Sequence, residues 1–102
     1  MKEDDIFLPL YYNDGSPVEP RKFRDLQAKL LAQFHGLTFF AQPNQGIWQM
    51  GDVTYHDEIV IYRGDYGPTA SRAAILSQLK EDLKRSFRQE EVLIVERDVA
   101  TL

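Results

Sequence analysis

The 102-residue chain contains no cysteine. Disulfides, thiolate metal sites and a cysteine nucleophile are therefore excluded. Histidine is almost as scarce, with two residues, His35 and His56. No spacing of His, Asp and Glu matches a metal-ligand set, so no metal and no cofactor are expected. Basic residues also fall short. Twelve Lys and Arg against sixteen Asp and Glu leave a net charge of −4, the wrong sign for a free-standing nucleic-acid binder. No apolar run approaches the ~20 residues of a membrane-spanning helix. The acidic start, Met1 to Asp5, leads into a short run broken by Pro9, unlike a secretory signal. A cytoplasmic protein without nucleic-acid or membrane contacts is the expectation. Repeats, low-complexity segments and linkers are missing too, and residues 1–102 read as a single domain.

What is present is a globular composition, 43% hydrophobic and 27% charged. Ile6 to Tyr12 is short, aromatic-rich and closed by Asn13-Asp14-Gly15-Ser16-Pro17, so it reads as a strand. Pro9 cannot donate to a ladder, which puts its N–H side at a sheet edge or a bulge. Pro20 suits the first turn of a helix reaching His35. Phe23, Leu26, Leu30 and Phe34 form its apolar stripe, widened by Leu31, and Gly36 stands where a left-handed residue would end it. Leu37 to Ala41 and Ile47 to Met50 read as strand, with Gln42 to Gly46 as either a bulge or a loop between them. Gly51-Asp52 is a hairpin turn. Val53 to Arg63 is the longest strand, and Gly64 to Pro68 a loop. A second helix from Thr69 or Ser71 to Phe87 places Ile75, Leu76, Leu79, Leu83 and Phe87 on one face. Glu91 to Glu96 holds the last strand. This order is an α+β, ferredoxin-like βαββαβ arrangement, with two helices on one face of a four-stranded antiparallel sheet.

The open face of such a sheet should be polar in a simple monomer. Here Ile6 and Leu8 oppose Phe7 and Tyr11, Ile59 and Ile61 oppose Val60 and Tyr62, and Val92 and Ile94 oppose Leu93 and Val95. Both faces are apolar, so something should cover the second one. A homodimer formed through the sheet is the favoured occupant, with a protein partner or a small ligand as the others.

Tyr55, His56, Asp57 and Glu58 form the densest titratable cluster. On a strand His56 and Glu58 share a face, where they could act as a base and its orienting carboxylate, while Asp57 points the other way beside Tyr55. The plainer reading is the solvated end of a strand. Trp48, flanked by polar residues, is a ligand-binding or interface candidate. Arg21, Lys22 and Arg24 crowd a helix N-terminus, so Arg21 and Arg24 could hold an anion, or simply face solvent near Glu19 and Asp25. The charges from Lys80 to Glu91 read as a solvated face, with Glu81 and Arg85 at pairing distance. RNA-recognition domains share this architecture, but Asp57 and Glu58 stand where such a domain needs basic and aromatic residues.

Several segments carry a resemblance: Pro9 to Gly15 running to Glu19-Pro20, Phe34-His35-Gly36-Leu37-Thr38, Gly46-Ile47-Trp48, Tyr55 to Glu58, and Phe87 to Glu91. In that order the chain resembles a family of small bacterial proteins with no assigned function. The resemblance implies one short domain and no particular reaction. The doubly apolar strands, the absent catalytic constellation and the acidic charge favour a non-enzymatic homodimeric module that binds a protein or small ligand. The alternative is a cofactor-independent enzyme with a pocket near Trp48 and His56.

Overall fold

The computed structural model describes residues 1–66 and 72–102. Its elements are β1 (Lys2–Pro9), α1 (Pro20–Gln33), β2 (Gly36–Met50), β3 (Val53–Tyr66), α2 (Arg72–Ser86) and β4 (Ile94–Asp98). The strands form one antiparallel sheet in the order β2-β3-β1-β4. Both helices supply the core residues that cover one face of this sheet. The fold is α+β and ferredoxin-like, as the element order implies.

Alternation along β1 decides what each face receives. Ile6 and Leu8 point to the helices and are fully buried with Val60 and Tyr62 of β3. Leu26 and Leu30 of α1, with Phe34 just past its end, close this core, as do Leu79 and Leu83 of α2 with Phe87 just past its end. Each fully buried Leu or Phe contributes about 1.5–3 kcal/mol. Phe23 meets Phe87 edge-on at 5.4 Å, and Phe39 stacks on Tyr62 at 4.4 Å. The Tyr62 hydroxyl accepts a hydrogen bond from Gln27. Gly64 lies beneath Phe34, and a Cβ there would stand 2.5 Å from the ring.

Several boundaries differ from the expectation. β1 begins at Lys2 because its acidic residues are paired across the sheet with Arg63 and Arg97. It stops at Pro9, past the end of the β1–β4 ladder at Ile6–Ile94. The missing N–H of Pro9 therefore faces a side with no ladder partner. α1 ends at Gln33, and Phe34 is extended rather than helical. Gly36 starts β2 instead of capping the helix. Leu31 is 62% exposed and lies outside the stripe. The expected break at Gln42 to Gly46 is a bulge within one strand, confined to residues 41–43: Phe40 pairs with Ile61 and Asn44 with Ile59, and Gln45 and Gly46 continue the ladder. β3 runs on through Gly64 to Tyr66. β4 starts at Ile94, where its ladder with β1 ends opposite Ile6. The Thr69 and Ser71 cap candidates and the Gly67–Pro68 part of the expected loop lie outside the described residues. Glu81 pairs with Lys84 and Asp82 with Arg85, not Glu81 with Arg85.

Candidate functional site

The bulge in β2 inserts residues without changing which side chains share a face. Gly46, Trp48 and Met50 stay on the open face with Tyr55 and Asp57, their partners or neighbours on β3. His56 and Glu58 point the other way, toward the side the helices cover elsewhere. The hairpin end reaches beyond the helices, so Tyr55, His56, Asp57 and Glu58 are all exposed. The charged end of the strand is thus solvated, as one sequence reading has it, and it also walls a groove.

That groove has a volume of about 890 Å³. Its walls come from the hairpin, the turn after β1 and the connection from α2 to β4. Tyr11, Trp48 and Tyr55 supply aromatic surface, and Asp57, Glu58, Glu90 and Glu91 supply carboxylates. Among the described residues, no lysine or arginine lines the groove. Trp48 also borders a hollow of about 410 Å³ floored by Phe7, Ile59, Val92 and Leu93. This second hollow lies on the open face. The two spaces share Pro9, Trp48, Met50, Gln89 and Glu91.

A polar latch fixes two of the walls. Tyr12 donates its hydroxyl to Glu19 and accepts from Lys22 at 2.6 Å. Lys22 also donates to the Ser86 carbonyl at the end of α2. The Tyr12 hydrogen bond holds the Glu19 carboxyl down to about 2. Arg88 places its guanidinium 4.5 Å from the centre of the Tyr12 ring. It does so from a left-handed backbone, φ 53°, just past α2. The turn carrying Tyr11 and Gly15 and the segment carrying Gln89 to Glu91 are thereby tied to the same tyrosine. Lys80 pairs with Glu91 at 2.9 Å, and its hydrogen bond holds that carboxyl below its usual range.

The structure brings Trp48, Tyr55, His56 and Glu58 to one groove. It does not bring Arg21 or Arg24 there. Arg21 lines a cleft of about 190 Å³ between the helices, beside Asp25 and Asp82. Arg24 is exposed, and Lys22, the third cation of that cluster, is committed to Tyr12 and Ser86. The sequence reading missed the wall formed by Tyr11, Glu90 and Glu91. Its signal is faint: Gln89-Glu90-Glu91 directly follows Phe87-Arg88, just past α2.

A second cluster occupies the other end of the open face. Asp5 is 4% exposed. Arg63 grips it with two hydrogen bonds of 2.7 and 3.0 Å, and Arg97 adds one of 2.8 Å. Arg97 also reaches Glu3 at 2.9 Å. The Arg63 hydrogen bond, with help from Arg97, holds the Asp5 carboxyl down to about 2. Asp65, opposite Glu3 in the ladder, is pushed up by burial and by its carboxylate neighbour. These pairs staple β3, β1 and β4 together and leave the groove untouched.

No family model and no curated protein matches the chain. Among solved structures it is similar to one described as a phage SAM lyase in complex with S-methyl-5'-thioadenosine. The TM-score is 0.69 at 15% identity, over 95% of this chain and 80% of that one. Such identity carries the fold alone. The expectation of a non-enzymatic module is corrected on that ground, because the structure that shares this fold is that of an enzyme. That expectation rested on the doubly apolar strands, the absent catalytic constellation and the acidic charge, none of which separates a binding module from an enzyme of this architecture.

Proposed function

We propose that the protein is an enzyme that cleaves a carbon–sulfur bond in a small sulfonium nucleoside of the S-adenosylmethionine type, in the groove beside Trp48. The lining carries this reading: aromatic rings and four carboxylates, with no lysine or arginine among the described residues. A phosphorylated ligand would be repelled there. A sulfonium gains from the carboxylates and from the ring faces. The groove volume, about 890 Å³, falls within the roughly 300–1,000 Å³ of small-molecule sites. The likeness to a lyase that holds a thioether nucleoside supports the same class through the fold.

In the reaction the sulfur keeps the electron pair of the broken bond and leaves as a neutral thioether. On the carbon side a base takes a proton from the adjacent carbon, and that C–H pair becomes a double bond. His56 and Glu58, on one face at the groove rim, are the groups placed to accept the proton. Loss of the positive charge weakens the hold of the carboxylates on the product and favours its release. The test is incubation of the protein with S-adenosylmethionine and chromatographic detection of S-methyl-5'-thioadenosine. Accumulation in proportion to protein, absent in a Trp48→Ala, Glu58→Gln variant, supports the reading. No thioether above the uncatalysed background overturns it.

A further inference from the structure

Gly46 and Trp48 lie two residues apart on the same face of β2, so the indole can fold back over the glycine. An ideal Cβ at Gly46 would stand 3.2–3.3 Å from three indole atoms, Cζ2, Nε1 and Cε2. Distances this short to three adjoining ring atoms mean that the indole lies over the side of Gly46 where a side chain would stand. The missing side chain at position 46 leaves the indole that space. Any side chain at position 46 would lift it. At 39% exposure the indole still presents surface to solvent, and it borders both the acidic groove and the apolar hollow.

We infer that Gly46 and Trp48 form a stacking platform for the purine ring of the ligand, with Gly46 as the positioning residue that sets the plane of the indole. The inference rests on the proposed nucleoside chemistry and deepens it. The ring lies on the open sheet face, in the hollow floored by Phe7, Ile59 and Leu93. The polar part of the ligand then extends past Trp48 toward Asp57 and Glu58. The two spaces differ in the way the two halves of such a ligand differ, one apolar and one acidic.

Trp48 is the only tryptophan of the chain, so intrinsic fluorescence reports on the platform directly. Titration with adenosine and with S-methyl-5'-thioadenosine should quench this emission saturably, with the same midpoint as calorimetry. Base stacking has a magnitude that makes Trp48→Ala weaken binding by about tenfold or more, and Trp48→Phe by less. Gly46→Ala needs the indole to move by a few tenths of an ångström and should cost a few-fold. Gly46→Val should cost about tenfold while leaving the fold intact, because a β-branched residue suits a strand. Circular dichroism and thermal melting of the Gly46 variants separate this role from a structural one. Binding by calorimetry without any change in Trp48 emission, or equal affinity in Gly46→Val and the parent, overturns the platform and leaves the enzyme reading standing. Quenching by adenosine without cleavage of S-adenosylmethionine supports the platform and overturns the enzyme reading. Absence of binding by every adenine nucleoside overturns both.

Discussion

Asp5 and Asp65 should shift stability in opposite directions, although both are aspartates on the same sheet face. The Asp5 carboxyl falls from 3.8 to about 2 on folding, chiefly through Arg63. At ~1.36 kcal/mol per pKa unit that drop corresponds to about 2 kcal/mol. Arg63 and Arg97 are 35% and 38% exposed, so solvent screening reduces the contribution to about 1–2 kcal/mol. Because the folded value is depressed, this stability is present above the unfolded value near 4 and is lost as pH falls toward 2. Asp5→Asn should therefore cost about 1–2 kcal/mol at pH 7, or several degrees in Tm for a chain of this size. Parent and variant should converge at about pH 2. Asp65 behaves inversely, since burial and Glu3 raise its folded value above 3.8. Its ionised form opposes folding at neutral pH, and the cost disappears as the pH falls through the raised value. Asp65→Asn should stabilise the protein at pH 7 and lose that advantage below about pH 4. Urea unfolding of the parent and both variants at about pH 7, 4 and 2 measures all of this. A loss in Asp5→Asn that is independent of pH, or destabilisation by Asp65→Asn at pH 7, would refute the reasoning.

Other substitutions probe the core, the latch and the groove. Gly64→Ala drives a methyl group into the Phe34 ring, so chemical denaturation should show a loss of about 1–3 kcal/mol. Lys22→Met removes the donor that joins Tyr12 to the Ser86 carbonyl; hydrogen exchange should rise in residues 11–15 and 86–91, with the strands unaffected. His56→Asn should lower kcat for S-adenosylmethionine about 100-fold with KM little changed, as expected for loss of a general base. Unchanged kcat would instead leave the carbon side of the reaction to the ligand's own carboxylate.

The fold was legible because its signals agree with one another. The stripe of Phe23, Leu26 and Leu30, the α2 face ending in Phe87 and the two-sided apolar strands all specify the same layers. Element ends were less legible, since tertiary contacts set them. Lys2 to Asp5 looks like a charged tail until Arg63 and Arg97, distant in sequence, supply its partners. Gly36 looks like a helix cap, yet the chain leaves α1 early so that Phe34 can pack over Gly64. The groove was half legible. Trp48, Tyr55, His56 and Glu58 lie on one hairpin and advertise themselves by local density. Tyr11, Glu90 and Glu91 reach the same space from two other connections, and only the Tyr12 latch reveals that those meet. Arg21 and Arg24 were singled out by charge at a helix start, a signal that does not distinguish a solvated cluster from a ligand site.

The central claim is that an acidic, aromatic groove selects a positively charged sulfur. S-adenosylmethionine and S-adenosylhomocysteine differ by a methyl group and one positive charge, and calorimetric titration of the protein with each, at low and at physiological salt, isolates that charge. The account predicts that the sulfonium binds about fivefold or more tightly than the thioether at low salt, and that the gap narrows as salt screens the carboxylates. Equal affinities, or tighter binding of the thioether, would contradict it.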